Sequence, residues 1–139
     1  MNQIDIKIKE HLDVQACIDF VQHPQSGANN LFVGKVRDHA NGQKVVRLDF
    51  EAYEPMAVKE MEIIALRALE IYDVHRIAIH HTVGEKQIGE MAVIIAVGSA
   101  HRKAGFEACE FAIDELKKTV PIWKKEHLEN GTVWVSAHP

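Results

Sequence analysis

Apolar and polar residues alternate from Ile4 to Ile8 (IDIKI), the pattern of a half-buried strand. Asp13 can cap a helix running to about Val21, with Val14, Cys17, Ile18 and Val21 on one face. HPQSGANN reads as a loop, and LFVGKV as a second strand with Arg37 at its end. In RDHANGQK the Asn41-Gly42 pair signals a hairpin, with a loop that looks longer than two residues. VVRLDFEAY then alternates, placing Val46, Leu48, Phe50 and Ala52 on one side. Glu54-Pro55 opens a helix whose apolar face holds Val58, Met61, Ala65, Ala68 and Leu69. HRIAIHHTVG is a strand, EKQIGE a turn-rich connection, and MAVIIAVGSA, nearly all apolar, a central strand. A long helix follows from about His101 to Lys118 and is stopped by Thr119-Val120-Pro121, because the residue before proline avoids the helical region. IWKKE suits one further helical turn. Asn130-Gly131 then turns the chain into a last strand, TVWVSA. Helices and strands are mixed with a hairpin, no repeat and no linker, so one α+β domain over residues 1–139 is expected.

The chain's 139 residues suit one core, and its formal net charge of −4 argues against a general nucleic-acid binder. Any basic site must be local. MNQIDIKIKE holds no apolar h-region, so no signal peptide is expected, and no apolar run approaches the roughly 20 residues of a membrane span. Cys17 and Cys109 form no CxxC pair, which suits a reducing cytoplasm without excluding a disulfide. His80 and His81 adjoin on a strand and point to opposite faces, so a shared metal ion is not expected. VGEKQIGE lacks phosphate-loop spacing, and neither a serine-nucleophile elbow nor a recognisable acid pair is present.

The stretch KKTVPIWKKE, Lys117 to Glu126, carries four lysines around a proline and a tryptophan. At about 100° per residue with Phe106 at zero, Cys109, Ile113 and Leu116 fall within about 80° on one side, and Lys117 about 20° on the other. Arg102 falls between Phe106 and Cys109, so two cations accompany the apolar stripe, while Lys103 and Lys118 point elsewhere. Lys117 suits two roles: a helix-end lysine that snorkels and complements the helix dipole, or a partly desolvated amine able to do chemistry in a pocket. Spacing alone leaves both open.

FVGKVRDH, YEPMA, SAHRKAGFEA and LKKTVPIWKKE, in that order and at these separations, resemble the large catalytic subunit of molybdopterin synthase from about Ser26 to Val135. The resemblance implies an α/β-hammerhead fold with a mixed or antiparallel sheet. It implies a sulfurtransferase that makes the dithiolene of molybdopterin from cyclic pyranopterin monophosphate, with no permanently bound cofactor. The sulfur donor is the C-terminal thiocarboxylate of a small ubiquitin-like subunit, and a central homodimer carries one such subunit at each end, a heterotetramer. By position, Arg37 with Lys35 and Val36 beside it corresponds to the family's substrate pocket, and His101 and Arg102 to its anion-binding pair. Lys117 and Lys124 correspond to two functional lysines, and Lys125 and Glu126 extend the substrate-contacting segment. Lys118 has no such role. Some relatives carry a C-terminal arginine where His138 stands here, which puts that tail's contribution in doubt.

The chemistry suits these residues. Arginine offers forked donors and a permanent charge to a phosphate or carboxylate, and His101 can donate a hydrogen bond or exchange a proton. Sulfur attack needs protons moved and a leaving oxygen neutralised, roles for Lys117 as acid or base and Lys124 as electrostatic stabiliser. Plainer readings stand beside these. Arg37 could pair with Asp38 or Asp49, His101 could cap its helix with Ser99, and Phe32, Pro121 and Trp123 could simply pack. Both cysteines read as core, so the transferable sulfur must come from a partner. Arg102 and Lys117 lie roughly 22 Å apart along one helix, too far for one small pterin. A composite site follows: Arg37, Lys117 and Lys124 from one chain, His101 and Arg102 from its mate. Two other readings remain: a non-catalytic module that docks the tail of a ubiquitin-like protein, or a homodimer with a basic seam and no ligand.

Overall fold

Met91–Ser99 is almost wholly buried because it is covered on both faces, and the rest of the chain is arranged around it. The computed structural model describes residues 2–136. In chain order the elements are β1 (Ile4–Lys9), α1 (Val14–Phe20), β2 (Ala28–Lys35), β3 (His39–Ala40), β4 (Gln43–Ala52) and α2 (Glu54–Ile71). There follow β5 (Val74–Thr82), β6 (Gly84–Gln87), β7 (Met91–Ser99), α3 (Arg102–Thr119), β8 (Ile122–Leu128) and β9 (Val133–Ser136). One sheet runs β1-β5-β7-β2, with β1 parallel to β5 and the other pairs antiparallel. A second runs β3-β4-β8-β9, with β6 also on β4. The fold is α+β with a long helix in the C-terminal half, as the residue pattern predicts, and its first sheet is mixed, as the resemblance implies.

Strand alternation sorts the first sheet into two cores. Ile77, Ile79, Ile95 and Val97 face α2 and α3, against Met61, Ile64, Ala108, Ala112 and Leu116. Ala78, Ile94 and Ala96 face the other way, onto Cys17 and Val21 of α1. Asp13 caps α1 as expected, its carboxylate accepting from the amides of Gln15 and Ala16. Gly98 lies where the end of α1 crosses β7: a Cβ there would come within 2.5 Å of the Val21 carbonyl oxygen. Backbone cannot swing aside as a side chain can. Gly98→Ala should therefore cost roughly 1–3 kcal/mol, read as a lower denaturant midpoint. An unshifted midpoint shows that α1 moves away freely.

Several sequence expectations need correction. IWKKE is not a helical turn but most of β8, because Ile122, Glu126 and Leu128 are buried with period two. In β4 it is Val45, not Val46, that joins Leu48 and Phe50 inside, since an irregularity between Val45 and Arg47 shifts the alternation. The Asn41-Gly42 loop is only two residues long: Ala40 pairs with Gln43, and both loop residues have positive φ, 51° and 76°, the type I′ geometry. EKQIGE supplies most of β6 before it turns. Phe106 is 60% exposed. The buried stripe of α3 is Gly105, Ala108, Cys109, Ala112 and Leu116, rotated towards small residues that let the helix approach β2 closely. In α2 the fully buried positions are Ala57, Met61, Ile64, Ala65 and Ala68, with Val58 and Leu69 only half-buried. Among the described residues no helix is long and apolar enough to cross a membrane. His138 lies outside them.

Candidate active site

A cavity of about 360 Å³ opens between the two sheets under the last turn of α3. The first sheet contributes the row Gly34, Val93 and His81, which are register partners across β2, β7 and β5. The second contributes Leu48 and Phe50 of β4, paired with Glu126 and Lys124 of β8. Ile113, Leu116 and Lys117 close it from α3, and the segment leaving β2 adds Lys35, Val36 and Arg37. Val36 is fixed through its backbone: its amide donates to Glu90 and its carbonyl accepts from Gly89, both at 2.9 Å. Apolar walls thus carry four cations: Lys35, Arg37, Lys117 and Lys124.

Few carboxylates offset them. Glu126 is buried, and its Oε1 lies 3.9 Å from Lys124 Nζ. Arg37 pairs with neither expected acid, because Asp38 is engaged by His39, and Asp49 by His127 at 2.7 Å. Among the described residues no ion pair joins Lys35, Arg37 or Lys117 to a carboxylate. Lys118, one residue further, is an ordinary solvated lysine bridged to Glu115 at 3.3 Å. Apolar surroundings and unpaired cations make a site for an anion that also carries a flat or apolar body.

The structure therefore brings Lys35, Val36, Arg37, Lys117, Lys124 and Glu126 together. Lys125 is not in the cavity. It lies on the other face of β8 and donates to Glu51 at 2.9 Å, a bond that raises its pKa. His101 and Arg102 are not there either, since they sit at the far end of α3. His101 occupies the N-cap position without a side-chain capping bond, its carbonyl accepting from Ser99 Oγ at 2.7 Å. The five proposed cationic residues thus do not converge within one protomer, the condition the composite arrangement requires. Cys17 and Cys109 are buried, and burial pushes their thiols up to about 11 and about 12, so neither is a ready nucleophile.

Sequence reasoning missed His81. It faces the cavity, whereas His80 faces α1, between Cys17 Sγ at 3.2 Å and Asp5 Oδ2 at 2.9 Å. The signal was present: adjacent strand histidines must face opposite ways, and one of the two faces is the cavity. Burial, aided by the charge of Lys117, lowers the His81 pKa from 6.5 to about 4, against the raising effect of its bond to Thr82. As pH falls, the unfolded chain protonates this histidine before the folded one does. Its contribution to stability is therefore intact above about pH 6.5 and is lost from there towards pH 4. The loss should approach about 1.4 kcal/mol per pH unit in that window. Urea titrations at pH 7, 6 and 5 should show a shallower fall for His81→Asn; parallel curves contradict the assignment.

Known proteins resemble this chain over most of its length. The family model described as MoaE protein matches residues 7–119. The molybdopterin synthase catalytic subunit of Arabidopsis thaliana is 46% identical over 134 residues, spanning 96% of this chain and 68% of that protein. The protein of the same name from Bacillus subtilis (strain 168) is 45% identical over 127 residues, spanning 91% and 81%. Among solved structures, molybdopterin synthase from Staphylococcus aureus superposes with a TM-score of 0.89 at 38% identity, covering 99% of both chains. A chain from the complex of subunits 1 and 2 of molybdopterin-converting factor of Helicobacter pylori 26695 gives 0.75 at 26% identity, covering 99% and 94%.

Proposed function

Because the chain belongs to the MoaE protein family, we propose that it is the catalytic subunit of a molybdopterin synthase. It inserts sulfur into cyclic pyranopterin monophosphate to form the dithiolene of molybdopterin. A small subunit with a C-terminal thiocarboxylate supplies the sulfur, and the two-subunit complex of the Helicobacter pylori neighbour supports such a partner. The observation that carries the reading is the cavity itself, where Lys35, Arg37, Lys117 and Lys124 surround an apolar floor with one buried carboxylate. The pterin is substrate, and no resident cofactor is assigned. The setting is the cytoplasm, where the free thiols of Cys17 and Cys109 persist.

In this reading Arg37 grips the cyclic phosphate with its fork of donors. Lys117 moves the proton that sulfur attack requires, and Lys124 neutralises charge on the leaving oxygen, with Glu126 holding it in place. His101 and Arg102 serve the cavity of a second copy. Two observations support this: both are exposed at the far end of α3, and Phe106 presents an apolar surface on the same helix. The test combines the chain, a thiocarboxylated small subunit and cyclic pyranopterin monophosphate, and follows the dithiolene product. Omitting any one of the three should abolish it. A chain that binds the small subunit's tail but yields no dithiolene is a docking module, and the enzymatic reading then fails.

A further inference from the structure

The cations of the cavity account for attraction of an anion but not for choice of a pterin. Lysine and arginine can only donate hydrogen bonds, and a pterin presents N–H and O–H donors that need acceptors. Glu126 is one acceptor, already close to Lys124. His81 is the other. Its ring is 1% exposed and held edge-on against Phe50, with centroids 5.2 Å apart and planes at 80°. Its Nδ1 lies 2.8 Å from the Thr82 carbonyl oxygen. A carbonyl only accepts, so Nδ1 carries the hydrogen and Nε2 of the neutral ring is a bare lone pair. Nε2 has no hydrogen-bond partner among the described residues. The one sealed side-chain polar atom without a partner there is Asn30 Nδ2. Nε2 of His81 is therefore not sealed, and the ring lines the cavity.

We propose that His81 orients the substrate: its Nε2 accepts a hydrogen bond from an N–H or O–H of the pterin and sets the ring beneath Arg37, Lys117 and Lys124. The inference rests on the pterin reading above. Since His81 is uncharged at neutral pH, removing it leaves the attraction for a bare anion unchanged and takes away only the recognition of the ring.

The experiment compares binding of cyclic pyranopterin monophosphate and of inorganic phosphate to wild-type chain, His81→Asn and His81→Gln. Asparagine places its amide near Nδ1 and keeps the bond to Thr82 without an acceptor at Nε2. Glutamine reaches the Nε2 position. His81→Asn should weaken pterin binding about tenfold to a hundredfold, the effect of an unpaired buried donor. Phosphate binding should not change, and His81→Gln should recover much of the pterin affinity. His81→Phe, which keeps an aromatic ring against Phe50, should show the same selective loss and serves if His81→Asn does not fold. Wild-type affinity for pterin in folded His81→Asn or His81→Phe overturns the inference, as does an equal loss of both ligands. A wild-type chain that binds no pterin overturns the functional reading and this inference together.

Discussion

Lys117→Ala should lower the turnover number for dithiolene formation by two to three orders of magnitude, about 3–4 kcal/mol of transition-state stabilisation. The substrate KM should change far less, because Lys35, Arg37 and Lys124 remain to hold the anion. The expectation rests on position. Lys117 stands in the last turn of α3, over the cavity, with no carboxylate partner among the described residues. Its amine shares the cavity with three other cations, Lys35, Arg37 and Lys124, at the point where an anionic substrate would be held. Lys118 is the internal control. It shares the helix turn but is bridged to Glu115 and absent from the cavity, so Lys118→Ala should leave turnover unchanged. Lys124→Ala should fall between the two, since it releases Glu126 as an uncompensated buried acid as well as removing a charge. Single-turnover measurements on all three chains check the order. Unimpaired turnover in folded Lys117→Ala removes that residue from the chemistry.

How much of this was legible in the residues depends on what carried the signal. Where burial is apolar and the element regular, periodicity sufficed: β7 reads as a central strand because both faces are covered, and Asp13 and Pro55 mark true helix starts, whereas the irregularity after Val45 misplaced Val46 in β4. Where inward positions are polar, periodicity failed. β8 turns Ile122, Lys124, Glu126 and Leu128 to one side, but two of these are charged, so its alternation is hidden. Small residues misled in another way. Gly105, Ala108 and Ala112 bring α3 onto β2, and a stripe drawn through Cys109, Ile113 and Leu116 left these small residues out. The convergence of Arg37, Lys117 and Lys124 was not readable from spacing, since it depends on β4 joining β8 to the body of the molecule. Resemblance supplied it. His81 escaped both routes, because asking whether two adjacent histidines share a metal ion left each one's own surroundings unasked.

Equimolar mixing of Lys117→Ala chains with Arg102→Ala chains should restore activity that neither shows alone. α3 is 18 residues long, about 27 Å at about 1.5 Å per residue, and places Arg102 and Lys117 near opposite ends. A pterin seated by Lys117 cannot reach Arg102 of the same helix, yet two such helices packed antiparallel about a two-fold axis bring each arginine to the other chain's lysine. Each mixed dimer then holds one site with both mutations and one with neither. If subunits exchange at random, half the dimers are mixed, so about one quarter of all sites are intact and the mixture should approach about one quarter of wild-type turnover. Arg102→Ala alone should act by raising KM, because it removes an anion contact rather than the proton-moving group. All chains are therefore assayed at substrate concentrations far below that raised KM, where Arg102→Ala by itself is nearly silent. Chains that are mixed and refolded together, then compared with each variant refolded alone, give the reading. No recovery in the mixture, with Arg102→Ala still inactive, means that the arginine acts within its own protomer, and the shared-site arrangement is then wrong.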